Sequence, residues 1–299
     1  MAYSAADLQA HPRFLLAVRF LADKLRGVHD GNPRLARFLA SQQRWLLSQA
    51  AFALHNEYDP AVPRSGLTIS RLRDMATGVD AASRNTILNF LNQLQAYRFM
   101  RIAGEAAKRP RRFEPTQVSV EAMFNWLLAN LAALDQMDGG ARAATLVDHP
   151  ELFRLIQPQA ARQTIEDPRW REPPPRVAMF LWTESGGLVM DELMRRVGTG
   201  VPEAELVDVG RIDARAMAET FRMSRTHLQR LLNRAIAEGC LVWKGDGRKE
   251  GLCLTRDFLQ EYLGWQAIKF AAVDEAYEDA CRKLNLCGPE EIRPAATER

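Results

Sequence analysis

The chain has 299 residues, of which 47% are hydrophobic and 26% charged, with a net charge of +3. That is ordinary globular composition at about twice the length of a typical domain, and it excludes wholesale disorder. Apolar runs such as 177–182 fall far short of the ~20 residues that cross a bilayer, and Asp7, His11, Arg13 and Arg19 interrupt any leader-like segment, so a cytoplasmic protein without a membrane partner is expected.

Taken in chain order, residues 1–32 read as an N-terminal helical segment and 33–117 as a first module. Leu35, Phe38, Leu39, Trp45, Leu46 and Phe52 predict one long helix over 34–57. A short helix then starts near Ser70 with Leu72 and Met75 facing inward, and turns through Gly78. A longer helix follows, capped by Ser83, with Ile87, Leu91 and Leu94 inside. The chain next goes extended over 98–102 and returns after a basic turn holding Lys108, Arg109, Arg111 and Arg112 around Pro110.

Residues 118–174 read as a helical connector over 119–135 followed by loops and a Pro-rich linker from Pro158 to Pro175. The second module, 175–256, has a leading helical segment over 177–197, broken at Gly186-Gly187. It then repeats the pattern of the first. Asp213 opens a short helix, the turn runs from Thr220 to Met223, and Ser224 caps a helix with Leu228, Leu231, Leu232 and Ala235 on its inner face. Gly239 ends that helix where φ > 0 is usual, whereas Arg98 stands at the matching place in the first copy and predicts a different cap there. A hairpin follows through Lys244-Gly245-Asp246-Gly247-Arg248-Lys249. Residues 257–299 read as a C-terminal amphipathic helix or helix pair and a frayed tail. Its stripe of Phe258, Tyr262, Trp265 and Ile268 is expected to pack on the second module or on another copy of the chain in a homodimer.

Aligning Ser83 with Ser224 brings Arg84 onto Arg225, Ile87 onto Leu228, Leu91 onto Leu232 and Asn92 onto Asn233. Positive charge collects on the same two segments. Residues 67–115 and 211–256 each carry a net +5, which leaves −7 for the rest. Chance clustering of solvated faces would account for the charge alone, but not for the repeated pattern.

Helix, turn, helix and basic hairpin, with Ser83-Arg84-Asn85-Thr86 and Ser224-Arg225-Thr226-His227 opening the second helices, resembles the winged helix-turn-helix DNA-binding proteins among bacterial transcriptional regulators. The resemblance covers about a third of the chain strictly. It implies a mostly α fold with two winged helix-turn-helix modules, small β-hairpin wings, and helices that join and flank them. It also implies a sequence-specific transcriptional regulator whose partner is double-stranded DNA. The DNA-facing residues would be Ser83, Arg84, Asn85, Asn89 and Asn92 on the first helix. On the second they would be Ser224, Arg225, Thr226, His227, Gln229, Arg230 and Asn233. The wings would contribute Lys108, Arg109, Arg111 and Arg112, and Lys244, Arg248 and Lys249. Arg, Asn and Gln can contact base edges in pairs of hydrogen bonds, while wing cations neutralise phosphates. A plasmid-type replication initiator resembles the same tandem arrangement, and a scaffold that binds protein through its winged helices is the rival from another class.

No catalytic chemistry is legible. The five histidines have no His or Cys partner at metal-ligand spacing, and no phosphate-loop, dinucleotide or nucleophile-elbow motif occurs. Neither an enzyme nor a cofactor or metal is therefore expected. The four cysteines, Cys240, Cys253, Cys281 and Cys287, form no C-x-x-C pair, which argues against a disulfide scaffold or zinc ribbon. The pair Cys281 and Cys287 reads as small apolar packing ahead of a redox sensor. Trp126, Trp170 and Trp182 likewise read as helix core ahead of an effector-pocket lining.

Overall fold

A computed structural model describes residues 1–79, 81–104, 110–198, 204–245 and 251–286. The fold is mostly helical, with two small antiparallel sheets of three strands each among the described residues. Its longest element, here α15, runs from Arg256 to Lys283 as a single helix of 28 residues, capped at its start by the Thr255 hydroxyl. Phe258, Phe270, Val273 and Ala276 on this helix are fully buried. Around it pack α1 (Ala5–Ala10), α2 (Phe14–Gly31), α7 (Gln117–Asp138) and α9 (Phe153–Glu166). The N-terminal segment is tied to it: the Tyr3 amide donates to Asp274 Oδ2 at 2.8 Å.

Two units of like order attach to this helical body. The first begins with α3 (Pro33–Leu39) and α4 (Gln42–Asn56), then β1 (Leu67–Thr68), α5 (Ile69–Thr77), α6 (Arg84–Ala96), β2 (Met100–Ile102) and β3 (Arg112–Pro115). After α7 come α8 (Arg142–Asp148), α9 and α10 (Pro168–Arg171). The second unit begins with α11 (Pro175–Leu181) and α12 (Gly186–Arg196), then β4 (Leu206–Gly210), α13 (Ala214–Thr220), α14 (Arg225–Ala237), β5 (Leu241–Trp243) and β6 (Leu252–Thr255). In both, the last strand lies in the middle of its sheet, giving the orders β1-β3-β2 and β4-β6-β5. Ile102 and Leu67 both pair with Phe113, and Leu241 and Val207 both pair with Leu254. Phe113 and Leu254 are buried, while the sheets meet the second helices through β2 on α6 and β5 on α14.

Several expectations are corrected. The long helix predicted over 34–57 is two, because the chain breaks at Ala40-Ser41. Gly187 of α12 comes so close there that an added Cβ would stand 2.8 Å from the Ala40 carbonyl oxygen, a contact that no periodicity reports. Most of the stretch expected as a Pro-rich linker is helical, with Pro158 inside α9. A proline there costs about 3 kcal/mol of local helix stability. Burial offsets it: Ile156, Ala160 and Ala161 are in the core, and Gln157 Nε2 donates to the Gln49 backbone oxygen at 3.1 Å. The helix expected from Ser70 starts earlier, with Thr68 as its cap accepting from the Arg71 amide at 3.3 Å. Met75 is only half-buried, and Ala76 fills the inner position beside Leu72. The break expected at Gly186-Gly187 lies just before that pair, at 182–185. The C-terminal stripe packs within its own chain, in part on the second unit, one of its two expected places. Phe258 stacks on Phe180 of the second unit at 5.7 Å and Trp265 on Trp170 of the body at 3.9 Å, while Ile268 is half-buried.

Candidate nucleic-acid interface

The candidate interface is built on α6 and α14, and the same local physics makes both. Ser83 Oγ accepts from the Thr86 amide at 3.2 Å, and Ser224 Oγ accepts from the His227 amide at 3.1 Å. Each cap satisfies one of the otherwise unpaired donors of a helix start and leaves its neighbours facing outward. The inner faces are Ile87, Phe90, Leu91 and Leu94 on α6, and Leu228, Leu231, Leu232 and Ala235 on α14, all buried. In front of α14, Asp213 caps α13 by accepting from the Arg215 and Ala216 amides, which hold its carboxyl below the ordinary range.

The outward rows follow by exclusion. Ser83, Arg84, Asn85, Asn89 and Asn92 are exposed on the first helix, and Ser224, Arg225, Thr226, Arg230 and Asn233 on the second. Among the described residues, Arg84, Arg225 and Arg230 make no ion pair within 4 Å. The Arg225 charge acts on the Asp213 carboxyl, a minor share of what lowers it. Gln229 is half-buried and its Nε2 donates to Asn233 Oδ1 at 2.9 Å, so these two side chains present a joined amide edge. His227 departs from the row. It is half-buried, and its Nε2 is enclosed without a hydrogen-bond partner.

The hairpins divide differently from the expectation. Arg111 is exposed. Arg112 is turned inward, with its guanidinium 3.9 Å from the Tyr58 ring centroid and 3.8 Å from Glu114. Lys244 is paired with the Asp208 carboxylate, and that lysine holds the Asp208 carboxyl below its usual range. Lys108, Arg109, Arg248 and Lys249 lie outside the described residues. One residue escaped the sequence reading. Arg222 is exposed in the turn before α14 with φ +51°, beside the Ser224 cap. Its signal was its place between two helices, which a search for outward positions within helices does not sample.

Elsewhere the side chains with chemical potential are mostly sealed. Cys240, Cys253 and Cys281 are buried in the core, and burial pushes the Cys240 thiol up to about 12. Cys287 lies outside the described residues. Of the three tryptophans, Trp182 is 72% exposed, away from the others. Trp126 and Trp170 come together with Trp45 and Trp265 around a cavity of about 240 Å³. Among the described residues, no helix is long and apolar enough to cross a membrane. Compared with family models, curated proteins and solved structures, the chain matches none of them.

Proposed function

We propose that the chain is a double-stranded-DNA-binding transcriptional regulator whose two strand–helix–helix–hairpin units are winged helix-turn-helix modules. The observation that carries this reading is the pair of Ser-capped helices, α6 and α14. Each presents an outward row of Arg, Asn and small hydroxyl side chains, with arginines that make no ion pair among the described residues. Such a row has nothing to bury and cations to spare, and a phosphate backbone supplies the opposite charge. Arg84, Arg225 and Arg230 suit guanine edges, and Asn233 with Gln229 suits an adenine edge. Arg111 and Arg222 sit at the margins of the rows, where phosphates would pass. Lys244 contributes less than its charge suggests, because Asp208 already neutralises it.

A second reading is favoured by the fusion of two such units to one helical body. A plasmid-type replication initiator uses tandem modules on iterated origin repeats, whereas a regulator reads a promoter operator.

Selection of bound duplexes from a random library, followed by titration at several salt concentrations, tests both. The expected result is salt-dependent binding with a preferred sequence. Arg225→Ala or Arg230→Ala should cost about 1–3 kcal/mol on that sequence and relax preference at one base pair. Arg111→Ala should weaken all sequences alike and lower the salt slope by roughly one. Recovery of direct repeats in tandem would favour the initiator. Absence of any salt-dependent duplex binding would favour a scaffold that binds protein and overturn the proposal.

A further inference from the structure

The four-tryptophan cavity has polar equipment that a plain core void lacks. Trp45 stands edge-on to Trp126 and Trp170 at 5.7 and 5.4 Å, and Trp170 stacks on Trp265 with an interplanar angle of 4°. These rings belong to α4, α7, α10 and α15, so four separated segments converge on one space. Into the same lining project Asp191 from α12 and Lys269 from α15.

Lys269 is only 4% exposed. Among the described residues its ammonium makes no ion pair within 4 Å and no hydrogen bond. Its neighbours are the Phe270 and Trp170 rings, at 4.5 and 5.9 Å from Nζ. Asp191 likewise accepts no hydrogen bond there. Two further polar atoms of the lining, Trp170 Nε1 and Gln266 Oε1, are enclosed without partners. Buried polar groups are nearly always hydrogen-bonded, and each one left unpaired costs about 1–3 kcal/mol. Three such groups around one aromatic cavity, with the half-buried Asp191 carboxylate beside them, call for a molecule that satisfies them.

We propose that this cavity binds a small, uncharged, flat aromatic molecule that carries a hydrogen-bond donor and an acceptor side by side. The rings dictate the flat apolar body, since aromatic faces and edges pack against the quadrupoles of indoles. Volume sets the size: cavities of ~150 Å³ accept a single benzene ring, and this one is about 240 Å³, which suits one to two fused rings. Neutrality follows from the pair itself. Asp191 and Lys269 cancel each other's charge, so an ionic ligand would leave one charge unmatched among the rings. The acceptor would face Lys269 and the donor Asp191. Burial pushes the Asp191 carboxyl up to about 7 and the Lys269 ammonium down to about 7, and each moderates the other's shift. Whichever of the two holds the proton, the pair still offers one donor and one acceptor.

Leu94 of α6 and Met100 of β2 close the cavity on the side of the first unit, while α12, which carries Asp191, packs on β4 of the second. If the units bind DNA, the occupant is an effector; that consequence rests on the DNA reading, whereas the binding itself does not.

The test therefore uses the full-length protein without DNA. Four of its six tryptophans line the cavity, so their fluorescence reports occupancy directly. Three bicyclic probes are titrated: 2-quinolinone (neutral, N–H beside C=O), naphthalene (no polar group) and 2-naphthoate (anionic). Saturable quenching at one equivalent is expected, with 2-quinolinone about tenfold or more tighter than either other probe, as a charge-assisted hydrogen bond supplies. Lys269→Met, close in volume, should retain naphthalene binding and abolish the preference, and Asp191→Asn provides the same test from the other side. No saturable quenching by any probe, tightest binding of 2-naphthoate, or a preference unchanged in both variants would overturn the proposal.

Discussion

Arg98 and Gly239 occupy the same point of the two units, each at positive φ, 60° and 69°. The hydrogen bonds around them also match: the Phe99 amide reaches the Leu94 carbonyl and the Cys240 amide reaches the Ala235 carbonyl, both at 2.8 Å. The different cap expected for the first copy is thus the same cap, built with a residue that pays for the conformation. A side chain in this left-handed region costs roughly 1 kcal/mol that glycine avoids. Arg98 is exposed and makes no ion pair among the described residues, so Arg98→Gly should raise stability by about 1 kcal/mol and Gly239→Arg should lower it similarly. Urea denaturation of both variants checks this; a lower midpoint for Arg98→Gly would contradict it.

Arg142 joins α7, α8 and α15 through three carboxylates. Its Nε lies 2.7 Å from Asp274, and its two other nitrogens lie 2.8 Å from Asp138 and 3.2 Å from Asp135. Asp274 is wholly buried. These partners hold the guanidinium charged, with its pKa raised despite the burial that opposes it. Arg142→Leu would strand a buried carboxylate and should cost about 3–5 kcal/mol, read from the urea midpoint. A loss below 1 kcal/mol would show that the network is solvent-relaxed.

Two glycines make opposite demands. An added Cβ at Gly186 would lie 2.0 Å from the Phe180 carbonyl oxygen, so Gly186→Ala must displace the turn between α11 and α12 and should cost about 2–3 kcal/mol. At Gly27, inside α2, nothing lies within 4 Å. Gly27→Ala should therefore stabilise by up to about 1 kcal/mol. Thermal unfolding of the two variants should shift in opposite directions.

The serine caps should behave alike. Ser83→Ala and Ser224→Ala should each cost about 1 kcal/mol, while Ser→Asp at either position should lose little, because a carboxylate also accepts at a helix start. Circular-dichroism melts of the four variants separate these outcomes. Equal losses for Ala and Asp would mean that the serines pack rather than cap.

What the sequence alone determined is local. The two copies, their Ser83 and Ser224 caps, the Asp213 cap and the inner faces from Ile87 to Leu94 and Leu228 to Ala235 all depend on residues within a turn or two of one another, and helical periodicity reports such neighbours directly. Tertiary structure decided the rest. The break at Ala40 needs Gly187, the helix through Pro158 needs Gln49, and the left-handed Arg98 is held by strands that pair beyond it. The cavity is the extreme case: Trp45, Trp126, Trp170, Asp191, Trp265 and Lys269 span most of the chain and share no motif. Each of them alone reads as core or surface. Only packing brings the Lys269 ammonium, the Asp191 carboxylate and four indoles around one cavity, because burial is a property of all the elements around a residue and not of its neighbours in the chain.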